Sequence, residues 1–475
     1  MKTYKNPLTD RYNTEQMAYL FSDEFKFRTW RSLWVSLAQN QHNLGLEFIK
    51  QDQIDAMKAK IDDIDFALAH EFEKKFKHDV MAHVHTFGEQ VPSAAKIIHL
   101  GVTSAFVQDN TNLIQIKQAL ELIRTRLVVL LHDLCDFALA NKDLATLGFT
   151  HFQPAQLTTV GKRACLWMQS FFMNLEELDY VLDNLAFRGI KGTTGTQASF
   201  QTLFDNDYAK VVQLDELVTK DFGFQKRLLV TGQTYDRLQD TRVLQLLTNI
   251  ATSAHKFTND FRLLQHLKEI EEPFAKNQIG SSAMAYKRNP MRCERVSSLA
   301  KFVISLEANG PWVAATQWFE RTLDDSANKR LSHPQAFLAT EALLNILTNI
   351  VDKCVVFPQI IKKHVNDELP FMITEKIMMQ ATKNGANRQE VHEIIRKISM
   401  QESHLIKNEG LPNNLIAHLL EEPRLKLNKE QLERELDPQL YIGFSVQQTE
   451  EYVAHVRAYI GEKPTKETST KNFEL

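Results

Sequence analysis

Residues 278–295 read Gln-Ile-Gly-Ser-Ser-Ala-Met-Ala-Tyr-Lys-Arg-Asn-Pro-Met-Arg-Cys-Glu-Arg and concentrate several kinds of reactive group. Gly280, Ser281, Ser282 and Ala283 are small and suit a mobile loop whose backbone approaches a ligand closely. A serine hydroxyl near Lys287 can be activated as a base or nucleophile. Lys287, Arg288, Asn289, Arg292 and Arg295 are potential anion contacts, and Arg forks hold carboxylate or phosphate in a fixed plane. Pro290 bars Asn289 from ordinary helix, so a helix is expected to begin at about Pro290. A solvated basic turn would explain the same charges without function.

Other segments carry weaker signals. Lys77-His78-Asp79 leads into His83 and His85, but zinc pairs on a helix want His-Glu-x-x-His, and the spacings here are five and two. Helix-surface or core histidines are the bland alternative; a charged or proton-relaying His78 beside Asp79 is the functional one. Gly101-Val102-Thr103-Ser104 precedes a long helix, so its hydroxyls either cap that helix or help its N-terminus hold an anion. Thr150-His151-Phe152-Gln153-Pro154 crowds polar groups ahead of an expected helix start. His151 there is a general acid/base candidate, because an imidazole ordinarily titrates near neutrality. Gly189 to Gln197 is glycine-rich but matches neither a dinucleotide fingerprint nor a phosphate loop, and reads as a helix–helix turn. Arg321, Ser326 and Arg330 suit phosphate, although surface pairing at a mixed-charge helix end would also explain them.

These groups need elements to position them. Pro is absent between Pro154 and Pro273, as long helices require. Leu120, Ile123, Leu127, Leu130, Leu134 and Phe137 step by threes and fours. So do Ala164, Met168, Phe171, Leu175, Leu178, Leu182 and Leu185, and Val243, Leu247, Ile250, Ala254, Phe257, Phe261 and Leu264. Such seams want partner helices at shallow angles. Flanking Leu131, Phe172 and Leu246 widen the stripes beyond what one chain is expected to cover, which predicts self-association. The fold class is all-α. Changes in texture near 104 and 356 divide it into an N-terminal helical part (1–104), a central bundle (105–356) and a C-terminal helical part (357–475) with a polar tail from Lys463.

With 475 residues, several domains are expected. Net charge is −3, which excludes a global basic field for nucleic acid, so an anionic ligand must meet local positive groups. No run of apolar residues suits a membrane span, and the N-terminus carries no secretory signal. Four scattered cysteines, Cys135, Cys165, Cys293 and Cys354, fit a reducing cytoplasm.

Taken together, the segments resemble the fumarase/aspartase superfamily and, within it, the adenylosuccinate lyase family. The superfamily loop Ser-Ser-x-Met-Pro-x-Lys-x-Asn-Pro is similar to residues 281–290, with Ala285 in place of the proline. The stretches from His78, Gly148, Lys191 and Trp318, with Arg11-Tyr12 and Thr231-Gly232-Gln233-Thr234-Tyr235, look like the purine-specific member, and the likeness runs from about residue 4 to 460. The resemblance implies a three-domain, all-α subunit in a homotetramer, with active sites shared among subunits. It implies purine nucleotide substrates, cleavage of adenylosuccinate to AMP and fumarate and of the related succinyl carboxamide ribotide, and no metal or organic cofactor. By the same resemblance, Ser281 matches the catalytic base, with Ser282 its rival, and His151 the general acid. Lys287, Asn289, Thr103 and Ser104 match dicarboxylate contacts. His78 matches a proton-network residue. Arg11, Tyr12, Arg295, Arg321, Ser326 and Arg330 match contacts chiefly to the phosphate and sugar end, and Gln233 a further one. Lys77, Asp79 and Thr150 join the substrate-binding set; Lys77 stands where relatives carry Arg. Another lyase of the superfamily, such as argininosuccinate lyase, or a non-catalytic helical scaffold, are the alternatives.

Overall fold

A computed structural model describes residues 4–12, 14–275, 278–279 and 283–464. The frame is a set of long helices: Ser104–Ala140, Val160–Asn184, Leu238–His266, Met291–Leu306 and Asp325–Lys353. Ser104–Ala140 packs on Val160–Asn184 and Asp325–Lys353, while Leu238–His266 packs on Met291–Leu306 and both of those. The all-α reading is correct, with two small antiparallel ribbons as the only sheets among the described residues.

Each seam becomes a buried stripe. Met168, Phe171, Leu175 and Leu178 are fully buried, as are Val243, Leu247, Ile250 and Ala254. Truncating one of the large ones, Phe171→Ala for example, costs about 3–5 kcal/mol on general grounds. The flanking Leu131, Phe172 and Leu246 are buried too, within this one chain. The expectation that seams and flanks exceed one chain's cover is therefore wrong. Each long helix meets neighbours on two sides, and these neighbours cover the wide stripe. What stays exposed is a separate set, including Leu166, Met173 and Tyr180 on the Val160–Asn184 helix and Trp318 and Phe319 in a connection.

The buried apolar residues form two cores. One runs from Leu8 through the central helices and includes Val453, Val456 and Ile460 of the final helix, Ser445–Ile460. That helix returns to the bundle, where Arg457 reaches Asp136 at 2.5 Å and Tyr459 reaches Asp179 at 3.0 Å. The second core joins the helices between Pro358 and Ile442 to Leu147 and Leu157 of a hairpin. This hairpin, strands Ala145–Thr150 and Gln153–Thr159, directly follows the Ser104–Ala140 helix. A second ribbon pairs Ile270–Glu271 with Val355–Val356. Among the described residues no helix is long and apolar enough to cross a membrane.

Pro334 lies inside the Asp325–Lys353 helix. It supplies no N–H to the carbonyl of Arg330, a defect worth about 3 kcal/mol or more in an isolated helix. The nearly continuous burial from Ala336 to Leu347 offsets it.

Candidate active site

His78 begins the site. It is the N-cap of the Asp79–Gln90 helix, and its Nδ1 accepts from the Met81 amide at 3.4 Å. That leaves the proton on Nε2, 3.3 Å from Ser104 Oγ. Thr103, the N-cap of the Ser104–Ala140 helix, makes no side-chain capping bond. The start of this helix, with its N-terminal amides, therefore meets His78 through Ser104, an arrangement suited to an anion. Asp79 accepts from Gln108 at 3.1 Å and lies 3.6 Å from Arg330 Nη2. Lys77 ends the preceding helix in the left-handed conformation, with φ 56°.

Beside this cluster is a cavity of about 270 Å³, lined by Gln108, Asn112, Arg321, Ser326 and Arg330, among others. Three connections are stitched together at its edge. Gln233 donates its amide to the Glu320 carbonyl at 2.9 Å and its side chain to the Thr193 carbonyl at 3.2 Å. Arg188 donates to the Gln233 carbonyl at 2.7 Å and to that of Gly192 at 2.9 Å. Gly232 is required here, because a Cβ would lie 2.6 Å from the Glu320 carbonyl oxygen.

The floor is a buried ionic network that the sequence did not disclose. Arg237 forks onto Asp109, with both bonds at 3.1 Å, and donates from Nε to Asp325 at 2.8 Å. Lys329 Nζ donates to Tyr235 Oη at 2.6 Å and lies 2.8 Å from Asp240, which accepts from the same tyrosine at 2.6 Å. Burial opposes the charged form of Asp240, but Lys329 and His333 outweigh it and hold the carboxyl well below its ordinary range. Asp109 behaves likewise under Arg237 and Lys329. The surface pairing allowed for at this helix end is thus wrong for Asp325 and Lys329, which are buried. Removing one partner of such a buried pair costs about 3–5 kcal/mol.

His151 lies elsewhere and in a different setting from the one expected. Thr150 pairs with Gln153, and His151 and Phe152 take φ of 54° and 57° as the two central residues of a tight hairpin turn. Pro154 sits in the returning strand next to a bulge, and the helix starts only at Val160, capped by Thr159. The polar crowding thus marks a hairpin tip, not a helix start. His151 is exposed there.

Ser281 and Ser282 lie outside the described residues. Downstream, Lys287 is exposed and its amide bonds the Met284 carbonyl. Arg288 pairs with Glu271 at 3.0 Å and the Asn289 carbonyl accepts from Met291 at 2.8 Å. The helix begins at Met291 with Pro290 as N-cap, as expected. Its free amides are taken by Glu272, which accepts from Arg292 and Cys293 near 3.0 Å. Arg295 and Arg11 approach the Tyr12 ring at 5.6 and 5.8 Å, a third cluster.

Helix length decides which groups one chain can bring together. Arg237 and the cavity sit at the start of Leu238–His266; Gln265, near its other end, holds the Arg288 carbonyl at 3.2 Å. At 1.5 Å per residue these ends are ~40 Å apart. The hairpin follows the far end of a 37-residue helix whose start carries Ser104. That helix spans ~55 Å, and a hairpin strand folding straight back recovers only ~20 Å. Within one chain, His78, Ser104 and Arg330 are therefore separated by tens of ångströms from both His151 and Lys287.

The three histidines near residue 80 do not converge on a metal site. His83 stacks on Phe27 with ring centroids 3.7 Å apart, and His85 packs against Phe76 at 4.6 Å. No group of three potential ligands that could hold a metal occurs among the described residues.

The pattern of the family described as "Lyase" matches residues 12–305, and that of "Adenylosuccinate lyase C-terminus" matches 370–452. The chain is 49% identical to the adenylosuccinate lyase of Schizosaccharomyces pombe over 453 residues, covering 95% of this chain and 94% of the relative. It is also 49% identical to that of Saccharomyces cerevisiae, with the same coverage. In fold it is similar to 3-carboxy-cis,cis-muconate lactonizing enzyme from Pseudomonas putida, with a TM-score of 0.82 at 20% identity, covering 96% of this chain and 100% of the other. A fumarate lyase from Mesorhizobium sp. BNC1 gives 0.79 at 20% identity, with coverage of 95% and 99%. With two family patterns spanning both parts of the chain and near-full-length identity to relatives of one name, the chain belongs to the adenylosuccinate lyase family.

Proposed function

We propose that the chain cleaves adenylosuccinate to AMP and fumarate, and the related succinyl carboxamide ribotide to its amide and fumarate, as a homotetramer with sites shared among subunits. One observation carries this reading: His78, Ser104, Arg321, Ser326 and Arg330 gather at one end of the bundle, in a chain 49% identical to relatives named adenylosuccinate lyase. The separation of this cluster from His151 and Lys287 supports completion of the site by other copies. The three-part division at 104 and 356 and a cytoplasmic location belong to the same reading.

Elimination removes the proton from the carbon beside a succinyl carboxylate. The electron pair left there passes into that carboxylate, then forms the new double bond as the C–N bond breaks. The purine nitrogen leaves with the C–N pair and takes a proton. Ser281 removes the first proton and His151 delivers the second. Lys287, Asn289, Thr103 and Ser104 meet the charge that builds on the carboxylate, and such preorganised donors supply the largest share of the acceleration. Arg11, Tyr12, Arg295, Arg321, Ser326 and Arg330 hold the ribose phosphate, with Gln233, Thr150, Lys77 and Asp79 as further contacts. His78, hydrogen-bonded through Nε2 to Ser104, keeps that serine oriented and joins the proton network. No metal or organic cofactor takes part.

The test is turnover followed by absorbance with adenylosuccinate, the carboxamide ribotide and argininosuccinate, together with mixing of two inactive variants. Ser281→Ala and His151→Ala, dissociated and reassembled together, should recover about a quarter of parental activity if each site draws the two residues from different copies. Turnover of argininosuccinate alone, or no turnover of any of the three, overturns the assignment; absence of recovery overturns the sharing.

A further inference from the structure

Lys26 is absent from every set of site residues above, yet its side chain lines the same cavity as Arg321, Ser326 and Arg330. It lies in the first turns of the Asp23–Asn43 helix, whose Ser22 cap accepts from the Phe25 amide at 3.1 Å. Of the carboxylates lining the cavity, Arg237 holds Asp109 and Asp325, and Lys329 holds Asp240 beneath it; Asp23 lies near Lys26 but forms no ion pair with it among the described residues. Among the described residues Arg330 has only Asp79, at 3.6 Å, beyond hydrogen-bond length. The Lys26 ammonium has no hydrogen bond or ion pair among the described residues. It rests over aromatic faces, 4.5 Å from the Phe27 centroid and 5.2 Å from that of Trp30.

Three features disfavour a cation at this point. Lys26 is half-buried, and burial, followed by repulsion from Arg330, pushes its ammonium below the ordinary lysine value against the pull of Asp23, Asp79 and Glu73. It also stands near the positive end of its own helix, where the dipole favours anions. An anion in the cavity would relieve all three, and a helix braced by the buried Trp30 and Trp34 fixes the lysine where it stands. At about 270 Å³ the cavity falls below the ~300–1,000 Å³ usual for a whole ligand, and suits one charged end of it.

We propose that Lys26 binds the phosphate of the nucleotide alongside Arg321, Ser326 and Arg330, and so sets the preference for phosphorylated over dephosphorylated ligands. This inference rests on the nucleotide-cleaving function proposed above.

The variants are Lys26→Met, which keeps the apolar stem over Phe27 and Trp30, and Lys26→Arg, which keeps the charge. Competition by AMP, adenosine and fumarate against adenylosuccinate turnover is measured in the assembled enzyme. In Lys26→Met the inhibition constant for AMP should rise roughly 10- to 100-fold, the range of a charge-assisted contact, while those of adenosine and fumarate stay put. Lys26→Arg should stay close to the parent for all three. AMP inhibition unchanged in Lys26→Met overturns the proposal, and so does an equal loss for AMP and adenosine, which would mean a packing role. A parent enzyme inactive on adenylosuccinate would instead defeat the functional reading itself, so the two failures are distinguishable.

Discussion

Arg330 Nη2 lies 3.6 Å from Asp79 Oδ2, across the mouth of the cavity that holds Arg321 and Ser326. The cation read as a phosphate ligand thus faces a carboxylate from another helix. The spacing is too long for a strong bond, and the arginine is exposed, so the pairing orients the guanidinium at little cost to its release. Arg330→Ala should raise KM for adenylosuccinate by roughly 10- to 100-fold, equivalent to the loss of one charge-assisted contact, with a smaller change in kcat. Steady-state kinetics with both constants unchanged would remove Arg330 from the site.

His151 occupies a turn position where φ is positive, which Asn and Gly accept more readily than His. A residue of the wrong preference at a hairpin tip invites a functional reason. His151→Asn should therefore leave the fold intact, with a melting temperature equal to or above the parent's. Turnover should fall by about 10²–10⁴, the usual range for losing an acid/base group. In Ser281→Ala, exchange of the succinyl C–H proton with solvent should vanish, whereas in His151→Asn it should persist, because C–H cleavage precedes C–N cleavage. Normal turnover in Ser281→Ala with collapse in Ser282→Ala would move the base assignment to Ser282.

The long helices were legible because period-3.5 apolar seams have few rival explanations, and the seams are buried apart from the partly buried Phe137 and Leu182. The hairpin was not. Its strands, Ala-Thr-Leu-Gly-Phe-Thr and Gln-Pro-Ala-Gln-Leu-Thr-Thr, carry little apolar–polar alternation, His-Phe replaces the Asn-Gly signal at the turn, and Pro154 argues against a strand. Arg237, Asp325 and Lys329 were illegible for another reason. A charge in a helix pattern reads as surface, and only long-range packing of Asp109 and Asp240 against them makes a buried network. Lys26 was hidden in the same way, one lysine among Phe25, Phe27 and Trp30. The site residues legible from motif resemblance proved to lie at opposite ends of the bundle, which no local pattern reveals.

The histidines after His78 should be inert toward metals. His78 is bonded to Met81 and Ser104, while His83 and His85 pack on aromatic rings. Incubation with EDTA followed by assay should give unchanged turnover. Loss of activity that added zinc restores would contradict the metal-free reading.

His83 predicts a pH dependence of stability. Burial, then Lys26 and Arg31, push its imidazole down to about 4, and burial pushes His99 to about the same value. Both folded values lie below the unfolded value near 6.5, so the unfolded chain binds more protons between those limits. The stabilisation is whole above about pH 6.5 and is lost as pH falls toward 4, by roughly 2–3 kcal/mol per histidine. Asp109 and Asp240 add loss of the same sign, but only below the ordinary carboxylate range near 4. Urea midpoints at pH 7.5, 5.5 and 4.5 should fall steeply, and His83→Leu should remove about half of that slope. An unchanged slope in His83→Leu would assign the dependence to other groups.

The last prediction concerns assembly. Leu166, Met173 and Tyr180 are half or more exposed and recur every seven residues on the Val160–Asn184 helix. Residues seven apart lie nearly above one another, so these three form one stripe, with Gln169 and Glu176 between them. The opposite face of the same helix is buried in the chain's own core, through Met168, Phe171 and Leu175. The exposed stripe is therefore free to meet a second long helix without disturbing the fold. Met173→Glu would put an unpaired charge into such a contact and leave it solvated in an isolated subunit. Sedimentation should show a shift from tetramer to smaller species, with the helical circular dichroism retained. Turnover should fall with the tetramer fraction, because His151 and Lys287 stand tens of ångströms from Ser104 within one chain. An active monomer, in either the parent or Met173→Glu, would rule out the shared site.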